Sequence, residues 1–401
     1  MRRILLTLLM LLMAVSPAQA ASQLEIYNTS KEASQSGQII WKLYGVGKVT
    51  EDIVVAPNGN LLLSTGSKLT CINPEGKMLW EAKSASGTMG KPLPVPTGSI
   101  YTASGSNVQE TKLNGASGWK YSVYSGAKAA KKGMLAGSGN DIIYLPLPDA
   151  LYAVDTAGHH AWILSPWESS DSKSTKVNSP QSFMACTADQ QAFYVVYGEK
   201  KGYKLAAIDK TGKSLWSFSL GDITDAYLSF DNSGRLIASV SFKKNSSFGS
   251  GSKSKLNPCK LYCFQPTNGR NALWTTVLPI NGELSNPFVA VDNNIYVTGG
   301  SKLYAVEGNS GSILWDEPLL ELVSSPTASS KNGRIYAGSS DGNLYAVNKA
   351  GRMVWSRSLD GDIERAPVIG LDQYIYVITK KGNLYKLIDK YDETQTSPPL
   401  L

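Results

Sequence analysis

Only two histidines occur in this 401-residue chain, and they are adjacent, His159 and His160. Neighbours on a strand face opposite ways, and neither has a spaced Cys, His or carboxylate partner, so no zinc ligand set exists. The four cysteines include no Cys-Cys pair. Cys259 and Cys263 would lie about 13 Å apart on one strand, too far to bridge. Cys71 and Cys263 occupy a slot that other segments fill with alanine (Leu303-Tyr304-Ala305-Val306), and read as small buried thiols. Gly-x-Ser-x-Gly, phosphate-loop and dinucleotide fingerprints are missing in context. Asp231-Asn232-Ser233-Gly234 has the start of a Ca²⁺ loop without its later ligands, so a hairpin turn explains it. No Lys/Arg-rich run or basic stripe interleaved with aromatics occurs, which excludes a nucleic-acid footprint. Helical periodicity is also missing, so the chain reads as all-β.

Long apolar runs are confined to the start. Arg2 and Arg3 precede the apolar stretch 4–15, and Ala18-Gln19-Ala20 supplies a small-x-small cleavage site, so 1–20 reads as a secretion signal. Twelve helical residues reach about 18 Å, short of a ~30 Å hydrocarbon core. No cysteine lies near the cleavage site, so the mature chain is expected to be secreted or periplasmic, not membrane-spanning, and not a lipoprotein. Removing Arg2 and Arg3 leaves 37 basic residues against 32 acidic, a net charge of +5, enough only for weak attraction to anionic surfaces.

What the chain does have is a repeat. Glycine is followed four residues later by tryptophan at Gly37/Trp41, Gly76/Trp80, Gly115/Trp119, Gly158/Trp162, Gly212/Trp216, Gly311/Trp315 and Gly351/Trp355. Gly269/Trp274 is stretched by one residue, and only Trp167 stands outside the pattern. Each repeat carries a short strand after proline, a turn such as Asn58-Gly59, an Ile-Tyr strand, a Leu-Tyr-Ala-Val strand and a glycine turn into the tryptophan strand. Four short antiparallel strands form one propeller blade. The glycine supplies a positive-φ turn, and the indole lies flat across the seam to the next blade. Each indole is expected to bury about 200 Å², contributing at most about 5 kcal/mol, and these eight are read as the main glue.

The last repeat has no tryptophan strand after 384–387, and Trp41 has no strands before it. Residues 38–43 are therefore expected to pair beside 383–388 and close the ring, removing its exposed edges. The span 38–388 gives about 44 residues per repeat for eight blades. The organisation expected is a leader over 1–20, a linker over 21–36, an eight-bladed propeller over 37–388 and a disordered tail over 389–401. The propeller is read as a monomer.

The pattern Leu-Tyr-Ala-Val-Asp…Gly-x-x-x-Trp, seen in 151–162 and in Ala207-Ile208-Asp209-Lys210-Thr211-Gly212-Lys213-Ser214-Leu215-Trp216, resembles the pyrroloquinoline-quinone-type propeller repeat. The resemblance spans 38–388 and implies an eight-bladed propeller of one of two kinds, quinone-dependent dehydrogenases or cofactor-free BamB-like scaffolds. Dehydrogenases of that type hold the quinone under a disulfide between adjacent cysteines, which this chain lacks, and use long insertions it has no room for. No cofactor, metal or catalytic residue is therefore expected.

Second-to-third-strand loops and blade-to-blade connections open on one face of such a disc. Both long insertions, 163–179 and 241–258, fall in those classes. Lys128, Lys131, Lys132, Lys200, Lys201, Lys243, Lys244, Lys253 and Lys255 gather there with Trp167. Asp316, Glu317, Glu321, Asp360, Asp362 and Glu364 occupy the opposite arc. This basic face is the expected contact for a protein or an anionic envelope polymer, with Trp167 as its anchor. A periplasmic outer-membrane barrel assembly factor is the first alternative and a quinone dehydrogenase the second.

Overall fold

The computed structural model describes residues 23–27, 35–84, 86–123, 135–137, 142–147, 150–164, 183–199, 202–243, 259–280, 283–319, 324–328 and 332–390. Among these every regular element is a strand, and the leader expected over 1–20 lies outside them. Seven four-stranded antiparallel sheets follow in chain order: 54–83, 93–122, 136–164, 183–221, 223–278, 288–318 and 327–358, blades I to VII. Blade VIII joins Val368–Ile369, Ile375–Ile378 and Leu384–Ile388 to Gln38–Leu43. First strands of several neighbouring blades touch one another, so they ring the axis, and the tryptophan strands lie at the rim.

The repeat motif is explained by register. Tyr144, Ala153 and Trp162 stand side by side on three successive strands, as do Tyr296, Ala305 and Trp315. A small central residue lets the flanking rings meet above it in four blades, and Tyr–Trp centroids lie 5.5–6.0 Å apart in six blades in all. In the other two the partner is aliphatic: Trp80 shares its row with Cys71 and Leu62, and Trp274 with Cys263 and Ile237. Cys71 and Cys263 thus do occupy the slot, as buried free thiols. Blades II and VIII place charges there instead. Buried Glu110 accepts from Ser99 at 2.5 Å and pairs with Lys112, while Lys386 pairs with Asp372 at 2.8 Å and donates to the Pro74 carbonyl.

The seams follow one rule. Three residues after the slot, the next blade presents a carbonyl (Pro74, Leu113, Thr156, Lys210, Pro266, Gly308, Lys349) that accepts the preceding indole N–H at 2.5–3.1 Å. The repeat glycine of that next blade lies flat against the same indole. Seven of these glycines have positive φ; the stretched copy, Gly269, does not. Trp119 therefore serves its seam through Thr156 and Gly158, and Trp274 through Gly308 and Gly311, as their place in the repeat predicts.

Burial is where the indoles depart from expectation. Only Trp41 and Trp216 are buried, each 4 % exposed. Trp80, Trp119, Trp162, Trp274, Trp315 and Trp355 are half-buried on rim strands that no further strand covers, whereas Trp216, on an equally uncovered rim strand, is buried against Phe264 and Gly269 of the next blade. The reading of all eight tryptophans as the main glue is corrected accordingly. Trp119 and Trp274, like the other four, hide less area than a fully sequestered indole and contribute less than about 5 kcal/mol. The largest fully buried side chains are tyrosines, among them Tyr101, Tyr144, Tyr296, Tyr336 and Tyr376. The indole latches a seam whose burial comes mainly from the residue beneath it: Tyr101 under Trp119, and Ile237 with Cys263 under Trp274.

Gly115 tests the latch. Its φ is +87°, and a Cβ there would lie 2.5 Å from Trp80 Cγ. Gly115→Ala is expected to lose about 2–4 kcal/mol in urea unfolding, from backbone strain plus overpacking. Gly66 has φ +64° but open space around it, so Gly66→Ala should lose only about 1 kcal/mol. Equal losses would contradict the seam contact.

Closure occurs as expected. Gln38–Leu43 pairs antiparallel with Leu384–Ile388, with Trp41 opposite Lys386 and Leu43 opposite Leu384, and Trp355 packs on Gly37 as on any other repeat glycine. Two further features differ from the sequence reading. Within the expected linker, Leu24–Ile26 adds a fifth strand outside Gln38–Leu43, setting Ile26 opposite Trp41 and covering that indole. Asp389, expected to begin the tail, is instead the buried hub of the last seam. It stands three residues after the slot residue Lys386, where the other blades offer a turn carbonyl. Blade VIII has no covalent turn at this point, and the Asp389 carboxylate accepts the Trp355 indole N–H at 3.2 Å. It also pairs with Arg334 and accepts from Tyr336 and Asn332. Residues 391–401 lie outside the described residues.

Candidate functional site

On the face where blade-to-blade connections enter, the inner strands enclose an axial cavity of about 680 Å³ to which all eight blades contribute. The volume falls within the ~300–1,000 Å³ usual for ligand sites. Its wall is divided. Blades III to V give an apolar arc of Leu135, Met184, Ala185, Ala226 and Leu228, with Cys186 and Tyr227. Blades VI, VII, VIII, I and II give a polar arc that includes Glu283, Asn286, Ser325, Glu364, Arg365, Glu51, Asp52 and Lys91. No repeat tryptophan lines the cavity, because all eight serve the rim seams.

Much of the polar arc is already engaged. Asp52 pairs with Lys91 at 3.7 Å and accepts the Ala366 amide at 3.1 Å, and Glu364 holds Lys380 at 2.7 Å. Asn286 is fixed through its own amide, which donates to the Ser325 hydroxyl at 3.2 Å, yet its side-chain oxygen is buried with no hydrogen-bond partner among the described residues. Burial, then the nearby carboxylates of Asp225, Glu283 and Asp52, pushes the Tyr227 phenol up. Burial alone pushes the Cys186 thiol up to about 12, so near neutral pH it is a thiol and a poor nucleophile.

Of the residues expected to form a basic contact face, Lys243 alone lies within the described residues, exposed at the end of Leu236–Phe242. Trp167, Lys128, Lys131, Lys132, Lys200, Lys201, Lys244, Lys253 and Lys255 lie outside them, as does Glu321. The acidic arc is largely neutralised. Asp316 pairs with Lys302 at 2.5 Å, Asp362 with Lys380 at 3.2 Å, and Asp360 with Lys42 of the closing strand at 2.9 Å. Desolvation opposes ionisation of Asp360, but Lys42, Asn383 and Thr379 outweigh it and hold this carboxyl below the usual range. His159 and His160 are exposed; against the sequence expectation His159 does have a spaced carboxylate partner, Asp155 at 3.2 Å, while His160 contacts the Tyr121 hydroxyl. Asp231 caps a hairpin turn, accepting the amides of Ser233 and Arg235 at 2.9 and 2.8 Å. No group of three or more His, Cys, Asp or Glu among the described residues could hold a metal ion, and no described helix is long and apolar enough to cross a membrane.

The axial cavity escaped the sequence reading because its lining comes in pieces of one to four residues, roughly a repeat apart, with no local motif.

The family described as outer membrane protein assembly factor BamB matches residues 29–227 and 201–393. No curated protein sequence matches the chain. Among solved structures, BamB from Moraxella catarrhalis superposes with a TM-score of 0.60 at 14 % identity, covering 88 % of this chain and 99 % of that one. The Dos1 propeller does so with a TM-score of 0.62 at 12 % identity, covering 90 % and 96 %. At such identities these structures share the fold alone.

Proposed function

Because the chain belongs to the family of the outer membrane protein assembly factor BamB, we propose that it is a non-catalytic, exported scaffold that holds a protein partner at the cell envelope. The contact is the face bearing the axial cavity. The observation carrying this reading is the convergence of all eight blades on that one face, where a mixed apolar and charged cavity opens. Both long connections, 165–182 and 244–258, leave and rejoin described strands on the same face, so partner contacts gather there on a rigid ring. Support for a non-catalytic role comes from the raised Cys186 thiol and from the placement of every repeat indole at a seam. A quinone platform would have to be built from other residues.

The family match favours a periplasmic barrel-assembly factor as the particular form of this scaffold, although Ala18-Gln19-Ala20 is not followed by a lipid-accepting cysteine. Crosslinking pull-down from the native envelope tests the reading. The W167A/K243E/K244E variant is expected to lose the crosslinked protein, whereas full retention would move the contact off this face. Recovery of an anionic polymer in place of a protein would overturn the protein-partner assignment.

A further inference from the structure

We propose that the axial cavity is a receptor for the carboxy-terminal residue of a peptide, taking a free carboxylate on Arg365 and an apolar side chain on the opposite wall. This deepens the scaffold reading and rests on it, since the peptide end belongs to the protein partner.

Four observations converge. Arg365 lines the cavity half-buried and has no hydrogen bond or ion pair among the described residues, although its neighbour Glu364 is held by Lys380. A guanidinium offers five donors in a planar fork that matches a carboxylate, and leaving them unmet in a partly dry site is costly. The Asn286 side-chain oxygen, buried in the same wall without a described partner, is an acceptor suited to a backbone N–H of the ligand. Across the axis, Leu135, Met184 and Leu228 supply the half-buried apolar surface for one aliphatic or aromatic side chain. Glu283, at the exposed edge and also without a partner among the described residues, favours a basic residue upstream in the peptide.

Isothermal titration of the intact protein with acetyl-Gly-Lys-Gly-Phe as the free acid, and with the same peptide amidated at its C-terminus, tests the assignment. The free acid should bind, and amidation or Arg365→Gln should each weaken binding about tenfold or more. Arg365→Glu should reverse the preference between the two peptides. Arg365→Gln should keep the wild-type unfolding midpoint to within about 1 °C, because Arg365 makes no hydrogen bond or ion pair among the described residues. Equal affinity for the two peptides, wild-type affinity in Arg365→Gln, or no heat from either peptide at millimolar concentration would each overturn the proposal. If the envelope partner still crosslinks while neither peptide binds, the cavity assignment falls alone; if both peptides behave as expected but no protein crosslinks, the scaffold reading falls.

Discussion

Removing residues 21–43 is expected to abolish most of the folding free energy, whereas removing 391–401 changes it by no more than about 0.5 kcal/mol. The first deletion takes Ile40, Trp41 and Leu43, all buried, out of the cluster they share with Tyr376, Ile378 and Leu384. Truncating single side chains of this kind costs about 2–5 kcal/mol each, and the total approaches the whole stability of an ordinary domain, about 5–15 kcal/mol. It also opens an unpaired edge on Leu384–Ile388 and leaves Asp360 without its Lys42 partner. The second deletion removes none of the ladder pairs or seam contacts described for blade VIII. Circular dichroism during urea unfolding separates the two. Equal midpoints would mean that Gln38–Leu43 does not close the ring.

The second large effect belongs to one carboxylate. Asp389→Ala should lower stability by about 3–5 kcal/mol, the usual result of stranding one member of a buried ion pair. Arg334, Asn332, the Tyr336 hydroxyl and the Trp355 indole all lose an acceptor at once. The side chains concerned are well buried, with Asp389 3 % exposed and Arg334 11 %. Asp389→Asn keeps an oxygen for the indole but not the charge, and should fall between alanine and wild type. The exposed pair Lys302–Asp316 is the control, where Asp316→Ala should cost about 1 kcal/mol or less. A loss at Asp389 no larger than at Asp316 would show that the last seam does not depend on it.

The difference between these sites shows what one-dimensional pattern can and cannot carry. Gly37/Trp41 and its seven counterparts repeat a local arrangement, so they report blade number, seam position and the need for Gln38–Leu43 to find Leu384–Ile388. They do not report depth. Trp119 and Trp315 carry the same signature as Trp41 and Trp216, yet the first two are half-buried and the second two buried. What covers an indole is set by neighbouring segments, such as Leu24–Ile26 over Trp41, and not by its own repeat. Asp389 works through Arg334 and Trp355, 55 and 34 residues back in the chain, and next to a polar C-terminus it looks like the first residue of a tail. Its role becomes legible only when the rule of three residues after the slot is known, and that rule needs the indole hydrogen bonds. Leu24–Ile26 was missed because three exposed residues carry no alternation to read. Lys386 and Glu110 violate the small-slot rule and are tolerated through partners: Asp372 for Lys386, and Ser99 of the adjacent strand with Lys112 of the same strand for Glu110. The cavity is the extreme case. Leu135, Met184, Leu228, Asn286 and Arg365 become neighbours only through the ring geometry, and none stands in a motif of its own.

The most direct test of a wheel fastened by its own two ends is native-state hydrogen exchange resolved by residue. The paired amides of Gln38–Leu43 and Leu384–Ile388 should be protected to within about tenfold of those in Lys302–Glu307, a third strand inside a covalently continuous blade. Exchange from Gln38–Leu43 at the rate of an unfolded chain, with Lys302–Glu307 still protected, would contradict that fastening.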